Sequence, residues 1–437
     1  MTPAMSALFR NDRPGSHAPS VYAAALPPPS LRPALQGAIT ADVAILGAGF
    51  TGLWAALTLA RAGRRVVVLD AHRVGFGASG RNGGQVHSGY NKPLDWLEAK
   101  LGDTRARALW DLSEGAKDQL RDFCAAHAPE AAFRPGIAHG VYSAAELDET
   151  RAEADHVAAR TGQTAKVMDA DTFGALVKSP LYKGGILDHT GGHLNPLAYA
   201  RALAREAEAA GAAIYEQSEV TGIEDGAQVV LTTAGGRVIA DHAIIAGNGY
   251  LPNILPQVNA RVMPINSFIA ATEPLPDTWR DVLAEDIAVA DSRFVVNYYR
   301  FSEDRRFLFG GRESYSIGFP ADISTALVAR MTRLFPQLSG MGIAHVWGGS
   351  LGITVPRLPY LARLGPRMLS AAGFSGHGVA HAGMAGRIMA EAVMGQEDGL
   401  AAFEALPIPR FPGGTALRAP ILTLAMTWFS LRDRLGL

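Results

Sequence analysis

The residues with the clearest chemical meaning form the glycine pattern Gly47-Ala48-Gly49-Phe50-Thr51-Gly52. A short apolar run over 41–46 precedes the pattern, and apolar residues at helical spacing follow it. The first glycine allows a tight turn, the second lets a pyrophosphate approach the backbone, and the third lets the helix pack closely on the strand. The free N–H groups and partial positive charge at the start of such a helix favour a phosphate. The pattern therefore predicts a dinucleotide-binding turn.

An acidic residue stands where such a unit needs one. The apolar run 66–69 predicts a second strand, and it ends in Asp70, whose carboxylate we expect to accept hydrogen bonds from a ribose diol. A lone glycine pattern is weak evidence. Here the strand, the glycines, the helix, the second strand and the acid all occur in the required order, which favours the binding unit over a coincidental loop.

A second glycine-rich stretch follows over 74–85. Its C-terminal half contains the candidate ligand contacts, which are Ser79, Arg81, Asn82, Gly83, Gly84 and Gln85. So much glycine predicts backbone that lies directly against a flat ligand, with interleaved donors around it. The alternative is a mobile surface loop. We favour the ligand-binding interpretation, because the stretch begins just after the predicted ribose-binding acid.

The composition excludes several classes of function. The 437-residue chain has a net charge of −1, so it offers no basic field for nucleic acid. Its single cysteine, Cys124, can form neither an intramolecular disulfide nor a cysteine metal cluster, which fits a reducing, cytoplasmic compartment. The segment 1–20 does not resemble an export signal. The apolar run 421–431 is too short to span a bilayer; we expect a docked helix, with peripheral membrane contact less favoured.

Later segments supply the remaining elements. The apolar strand that begins near Asp241 runs into Gly247 and Gly249, as in a Rossmann-like sheet that resumes after an insertion. Between about 261 and 347 the apolar residues mostly alternate, which predicts a separate antiparallel sheet. A last strand leads through Gly373 into Ser375-Gly376-His377-Gly378, where a helix over 379–394 is expected to begin.

Three of these stretches together resemble the amine-oxidising flavoproteins of the D-amino-acid oxidase and sarcosine oxidase superfamily. They are the turn over 42–52, the loop over 78–85 and the segment 372–378. The first is generic to dinucleotide-binding flavoproteins, whereas the other two are more specific, and the resemblance is closest to gamma-glutamylputrescine oxidoreductase-like members. It implies an α/β fold with a Rossmann-like FAD-binding domain of the glutathione reductase type and an inserted antiparallel-sheet α+β substrate domain.

The resemblance also implies a division of the chain. The expected parts are an extended N-terminal arm (1–37), a discontinuous FAD-binding domain (38–100, 181–260 and 346–405), a substrate domain (101–180 and 261–345) and a C-terminal apolar tail (406–437). Relatives of the sarcosine oxidase type attach flavin through a cysteine near the segment that reads 352–354 here, and this chain has no cysteine there. We therefore expect noncovalent FAD and no metal.

Site roles follow from the same resemblance. The turn 47–52 would hold the pyrophosphate, Asp70 the ribose, Val220 the adenine through its backbone, and the loop 79–85 the flavin ring. Gly376, His377 and Gly378 head a helix that would face the pyrimidine edge of the flavin, where its positive end stabilises the anionic reduced ring. Gly247, Gly249, Gly373 and Ser375 are assigned to the same cofactor.

The implied reaction is oxidation of a primary or secondary amine by hydride transfer to flavin N5. The substrate would be a gamma-glutamylputrescine-like polyamine derivative or an amino acid, consistent with polyamine catabolism, and the imine would hydrolyse while oxygen is reduced to hydrogen peroxide. Relatives place a lysine over the flavin to assist oxygen, but no lysine follows Lys183 here. We still expect oxygen to be the electron acceptor, and a quinone or an electron-transfer protein is the alternative.

Substrate contacts are less constrained. His377 is the candidate catalytic residue, although its ring could equally brace the glycine turn. Candidate substrate residues are Tyr299 and Arg300, since strand alternation turns only some of 298–300 inward, together with Arg312 and Trp347. An arginine at 300 or 312 would suit a carboxylate by bidentate pairing. Surface placement of the arginines and a core position for the tryptophan are the alternatives.

Two other functions remain open. The same scaffold supports a dehydrogenase of 2-hydroxy acids or D-amino acids that passes electrons to a quinone, and His377 would then be its base. A flavin-binding protein without catalysis is the alternative of another class. The dense polar loop 79–85 argues against it, since a structural nucleotide would not require such a loop.

Replacing Gly49 with valine tests the predicted pyrophosphate site. A branched side chain at this position would enter the space of the pyrophosphate, so we expect Gly49→Val to lose bound FAD. The measurement is flavin absorbance per chain after acid precipitation, which releases noncovalent flavin. A variant that retains stoichiometric flavin would refute this placement of the pyrophosphate.

Overall fold

A computed structural model describes residues 11–13, 15–27, 31–251, 254–314 and 318–412, with the side chains of 312–314 left out. The apolar run 421–431 lies outside the described residues. The described strands are β1 Gly37–Leu46, β2 Val66–Leu69, β3 Gln85–Val86, β4 Arg134–Val141, β5 Lys166–Asp169, β6 Gly184–His193, β7 Ala213–Tyr215, β8 Val220–Asp225, β9 Val229–Thr233, β10 Gly236–Ile245, β11 Met263–Pro274, β12 Ala288–Asp291, β13 Tyr298–Phe301, β14 Arg306–Ser314, β15 Ile343–Ile353, β16 Tyr360–Arg363 and β17 Met368–Ala372.

Helices pack against both sheets. The described α-helices are α1 Val21–Ala25, α2 Phe50–Arg61, α3 Leu94–Leu101, α4 Asp103–His127, α5 Ala144–Thr161, α6 Ala170–Leu176, α7 Pro196–Ala209, α8 Pro256–Asn259, α9 Ser324–Leu334, α10 Gly378–Val393 and α11 Asp398–Glu404. Within these described ranges, every helix is too short or too polar to cross a membrane.

The first sheet carries the predicted dinucleotide-binding unit. Its strand order is β16-β17-β10-β1-β2-β7, with β9 and then β8 added to β10. The central strands β17, β10, β1, β2 and β7 pair in parallel. β2 is buried on both faces, as a parallel strand covered by helices must be. This sheet confirms the Rossmann-like part of the predicted fold.

The second sheet is larger than the sequence predicted. Its order is β15-β11-β14-β13-β12-β4-β6-β3, with β5 on β6, and only β12 and β4 pair in parallel. β3, β6 and most of the segment 346–353 join this sheet, although they fall in ranges expected for the FAD-binding domain. A pattern of apolar residues identifies a strand but does not say which sheet the strand will join. The division of the chain into domains stays a prediction.

The N-terminal arm also differs from expectation. It is not simply extended, because it contains α1, capped by Ser20, and buries Ala18, Val21 and Tyr22 against Trp347. The prolines at 27–29 favoured an extended conformation for the whole arm. The three buried apolar side chains instead favour docking of the arm on the protein.

The helix at the glycine turn is held by very close backbone contacts. A Cβ on Gly52 would lie 1.9 Å from the carbonyl oxygen of Gly47, so only glycine lets α2 approach β1 this closely. On the other side of α2, a Cβ on Gly386 of α10 would lie 2.2 Å from the carbonyl oxygen of Thr51. Further along the same layer, Cys124 of α4 is buried in the core with α2 and α10.

Two glycine-to-alanine substitutions test this close helix crossing. We expect Gly386→Ala to lower the free energy of unfolding by about 1–3 kcal/mol, because the new methyl group forces α10 away from α2. Gly115→Ala in α4 is the matched control: it meets no atom within 4 Å, and relief of glycine's entropy cost should stabilise the protein by about 0.5–1 kcal/mol. Urea denaturation followed by circular dichroism measures both. Equal stabilisation by the two substitutions would contradict the crossing.

Candidate active site

A cavity of about 440 Å³ lies where the ends of β1, β2 and β10 meet the second sheet. Its wall combines segments that are far apart in the chain, from the glycine turn to the start of α10. The predicted site residues that line it are Gly47, Gly49, Phe50, Thr51, Asp70, Ser79, Arg81, Asn82, Gly83, Gln85, Val220, Gly247, Ser375, Gly376, His377 and Gly378. The fold therefore brings most of the predicted cofactor residues to one place.

The glycine turn exposes its backbone to the cavity in this wall. Gly47 has a φ of +103°, a conformation that strongly favours glycine. Gly49 precedes α2 as its N-cap and provides no side chain. The hydroxyl of Ser79 stands over the same turn and accepts a hydrogen bond from the Phe50 N–H at 3.0 Å. A Cβ on Gly49 would come within 2.8 Å of that hydroxyl oxygen, so glycine at this position lets the Ser79 hydroxyl approach the turn closely.

Five predicted cofactor residues lie behind the wall and shape it. Ala48 donates its N–H to the Asp70 carboxylate at 2.8 Å. Gly52, Gly84, Gly249 and Gly373 sit where a Cβ would meet a neighbouring group at 1.9 Å, 2.1 Å, 2.9 Å and 2.5 Å respectively. These residues permit close backbone packing and do not themselves line the cavity.

Asp70 is partly buried beside the glycine turn and anchored by backbone groups. One carboxylate oxygen accepts from Ala48 N and the other from His72 N, each at 2.8 Å. Burial raises the pKa of Asp70 to about 6, against the opposing effect of the two N–H donors. Each oxygen keeps a second acceptor site, so contact with a ribose diol stays compatible with this geometry.

Four histidines cluster at the opposite end of the cavity, with His87, His139 and His377 in its wall. The ring centroids of His87 and His377 are 5.1 Å apart, and His377 lies 6.2 Å from His381 in a stacked arrangement. Burial lowers the pKa of His377 to about 4 and that of His381 to about 3. The pKa values of His87 and His139 are lowered for the same reason. The cluster is therefore neutral near pH 7.

His377 keeps an unused hydrogen-bonding atom in this wall. Its Nδ1 is buried and has no hydrogen-bond partner within the part of the chain that the structure describes. The ring precedes α10 as its N-cap but forms no side-chain cap bond to the helix. The position does not support the view that the ring only braces the turn. Its catalytic role stays a prediction.

Arg357 is a cation that the sequence did not single out. It lines the same end of the cavity, with its guanidinium carbon 4.8 Å from the centre of the Phe294 ring. Its backbone has a φ of +61°, and its carbonyl accepts a hydrogen bond from Asn91, which also donates to Ser375. Among the described residues, no carboxylate forms an ion pair with Arg357. The described acidic residues of the wall are Asp70 and Glu219, which lie at the other end with Val220.

Three of the four predicted substrate residues do not line the cavity. Tyr299 is 1% exposed and packs in the core of the second sheet, where its hydroxyl donates to Tyr182 at 3.0 Å. Its neighbour Tyr298 lines the cavity instead, because successive strand residues face opposite sides. Trp347 is a core residue that donates its indole N–H to the Arg81 carbonyl at 2.9 Å. The side chain of Arg312 lies outside the described residues.

Arg300 has a structural role that excludes the predicted one. Its guanidinium is buried and donates to the carbonyl oxygens of Gly83, Leu194 and Phe301 and to the Tyr22 hydroxyl. With its donors engaged in this way, it is not available for a substrate carboxylate. The prediction is corrected: Arg300 fixes the glycine-rich loop from behind.

A family model described as FAD dependent oxidoreductase (DAO) matches residues 42–392. The chain belongs to this family of FAD-dependent oxidoreductases. It is 42% identical over 421 residues to "Probable oxidoreductase OrdL" of Rhizobium meliloti (strain 1021), a match that covers 95% of this chain and 97% of that one. It is 36% identical to the gamma-glutamylputrescine oxidoreductase of Escherichia coli (strain K12), covering 96% and 99% of the two chains.

Solved structures agree with this family fold. Glycine oxidase from Geobacillus kaustophilus superposes with a TM-score of 0.67 at 22% identity, over 85% of this chain and 99% of that one. The protein is thus an FAD-dependent oxidoreductase of the DAO family, as predicted.

The residues present fit FAD at this site. The glycine turn places the N-terminus of α2 at the cavity, which suits a pyrophosphate. Among the described side chains of the wall, Arg81 Nη2 and His377 Nδ1 are buried without a hydrogen-bond partner. Arg81 Nη2 suits the heteroatom edge of a flavin ring, which leaves His377 Nδ1 for a substrate group.

Sequence reasoning missed several wall residues at the substrate end. They are His87, Asn91, His139, Phe294 and Arg357. His87 was visible beside the glycine-rich loop but has no motif of its own. Arg357 follows a proline in an irregular segment, and no local pattern separates it from other arginines. Only tertiary structure brings these residues together.

The buried histidines predict loss of stability in mild acid. Their folded-state pKa values lie below the ordinary value of 6.5, so between about pH 6.5 and 4 the unfolded chain binds more protons than the native one. The free energy of unfolding should therefore fall as pH falls through this range, by up to about 1.4 kcal/mol per pH unit for each such histidine. We expect His381→Gln to reduce this slope by the contribution of about one proton, which is up to about 1.4 kcal/mol per pH unit.

The control is His189→Gln, at an exposed histidine of β6. Urea denaturation of the FAD-loaded protein at intervals between pH 7.5 and 4.5 gives the slopes. An unchanged slope in His381→Gln, or the same reduction in both variants, would contradict the assignment of proton uptake to the buried cluster.

Proposed function

We propose that this oxidoreductase oxidises the primary amine of a substrate whose far end carries a carboxylate, as in gamma-glutamylated polyamines. The observation that carries the proposal is Arg357, a wall cation without a carboxylate partner among the described residues. The name of the E. coli relative, gamma-glutamylputrescine oxidoreductase, supports the same substrate class.

The charges of the wall discriminate between amines. A guanidinium pairs strongly and bidentately with a carboxylate, and here the Phe294 ring supports one of its faces. A free diamine would instead bring a second ammonium group towards Arg357, where no acidic side chain of the described wall offsets the repulsion. Substrates with an anionic far end should therefore bind better than simple diamines.

The chemistry divides between cofactor and protein. When bound, FAD supplies the acceptor for the hydride that leaves the carbon next to the amine nitrogen. The nitrogen lone pair then forms the C=N bond of an imine, which water hydrolyses to an aldehyde and an amine or ammonia. No strong acid or base is needed for this step, which fits a wall of neutral histidines.

The protein's own residues would position the reacting groups. Neutral His377 can hold one hydrogen bond to the amine through its free Nδ1. Apolar side chains of the wall, such as Ile265, Phe294 and Val296, exclude water. The N-terminus of α10 adds a partial positive charge beside Gly376 and Gly378, which favours negative charge that develops at this wall.

We also propose oxygen as the electron acceptor and noncovalent binding of FAD. The chain has no cysteine besides Cys124, which lies in the helical core formed with α2 and α10. Hydrogen peroxide formed in stoichiometric amounts per amine oxidised supports oxygen. Turnover only with an added quinone, and none with oxygen, would replace this acceptor.

Anaerobic reduction of the flavin tests the substrate class. We expect gamma-glutamylputrescine to bleach the flavin faster than putrescine or N-acetylputrescine, with 2-hydroxy acids inactive. In Arg357→Gln, kcat/KM for gamma-glutamylputrescine should fall by about 10–150-fold, equivalent to losing a charged hydrogen bond worth about 1.5–3 kcal/mol. For N-acetylputrescine, which lacks the carboxylate, the same substitution should have little effect.

Arg363→Gln is the control, because Arg363 lies on β16 and pairs with Glu397 outside the cavity. An equal loss for both amines in Arg357→Gln would contradict carboxylate recognition by Arg357. Bleaching by 2-hydroxy acids and by no amine would replace the proposed reaction itself.

A further inference from the structure

The N-terminal arm (described residues 11–27, except 14) contacts the glycine-rich loop (74–85) at three separate points. His17 Nε2 lies 3.0 Å from the carbonyl oxygen of Val74, at the start of the loop. Asp12 pairs with Arg81 at 2.8 Å, and the Tyr22 hydroxyl donates to the Asn82 carbonyl at 2.9 Å. The arm therefore follows the loop along its length on the side away from the cavity.

The ion pair with Asp12 is almost completely buried. The side chains of Arg81 and Asp12 are 2% and 8% exposed. Arg81 also donates to the carbonyl oxygens of Phe76 and Gly348, and its guanidinium lies over the Phe76 ring at 4.7 Å. A buried guanidinium cannot lose its charge, so removal of Asp12 leaves an unbalanced cation within the loop.

Tyr22 connects the arm to a second buried cation. Its hydroxyl donates to Asn82 O and accepts from Arg300 Nη2 at 3.0 Å, while its ring packs edge-on against Trp347 at 5.6 Å. Arg300 in turn donates to Gly83 O. Two successive carbonyls of the loop are thereby held by groups outside the cavity.

The loop that these contacts hold is part of the cofactor site. Gly77, Ser79, Asn82 and Gly83 line the cavity, and the Ser79 hydroxyl also meets the N-terminus of α2. Glycine-rich backbone is flexible on its own, so its cavity-facing shape must be imposed from outside.

We propose that the N-terminal arm is a positioning element of the FAD site: Asp12 and Tyr22 hold the glycine-rich loop in the shape that binds the cofactor. The proposal rests on FAD binding and not on the amine substrate. The arm lies outside the segment 42–392 that the family model covers.

Two conservative substitutions test the proposal. Asp12→Asn removes the charge but keeps an acceptor, and Tyr22→Phe removes only the hydroxyl. We expect each to raise the Kd of the apoprotein for FAD by about tenfold, as loss of a buried hydrogen bond or ion pair would predict. Quenching of flavin fluorescence on titration of the full-length apoprotein measures Kd. With FAD saturating, kcat should stay within twofold of the unaltered enzyme.

Tyr182→Phe is the matched control. It removes a buried tyrosine hydroxyl that bonds to Tyr299 in the core of the second sheet, away from the loop. Its Kd for FAD should not change even where its Tm falls. The proposal is overturned if Asp12→Asn and Tyr22→Phe lower only the apoprotein Tm and leave Kd unchanged, or if Tyr182→Phe raises Kd equally.

Hydrogen exchange gives an independent measurement that does not depend on FAD binding. We expect the amides of 76–84 to exchange faster in Asp12→Asn apoprotein than in unaltered apoprotein, while the amides of β11 keep the same rate. Unchanged protection of this loop would contradict the arm's role without reference to any substrate.

Discussion

The cofactor cavity depends on backbone that is held in place by charged side chains buried behind it. Two guanidinium groups, Arg81 and Arg300, lie beneath the glycine-rich loop and donate to main-chain carbonyls on several sides. Because arginine stays charged when buried, each donor must find an acceptor. On the opposite side of the cavity, Asp70 uses its carboxylate to fix two main-chain N–H groups. Main-chain atoms form much of the binding surface, and the side chains behind them determine its shape.

Electrostatics divide the cavity into two functionally distinct ends. The end near β2 carries the acids Asp70 and Glu219 beside the glycine turn. The other end holds histidines that burial keeps neutral, together with Arg357. Under the proposed function, the neutral rings let an amine approach without repulsion, and Arg357 selects substrates whose far end carries a carboxylate. The same cavity would then serve both cofactor binding and selection of a charged substrate.

Local sequence was sufficient where a function needs a fixed order of residues. The turn 47–52, Asp70 and the segment 375–378 could be recognised because strand, glycine and helix must follow one another for a dinucleotide to bind. Local sequence was insufficient where the role of a residue depends on which face of its strand is turned towards the cavity. Tyr299 and Tyr298 are neighbours with the same chemistry, and only the packing of the second sheet decides that Tyr298 lines the cavity. Arg300, predicted to contact the substrate, is instead buried behind the glycine-rich loop, whereas Arg357, which the sequence did not single out, lines the cavity.

The buried position of Cys124 has a consequence for the durability of an enzyme of this kind. Burial raises the pKa of its thiol to about 12, so almost none of it is thiolate near neutral pH. The thiolate is the form that oxidants attack, and Cys124 is the chain's single thiol. Peroxide, the product expected with the proposed acceptor oxygen, would therefore meet no reactive sulfhydryl on this chain.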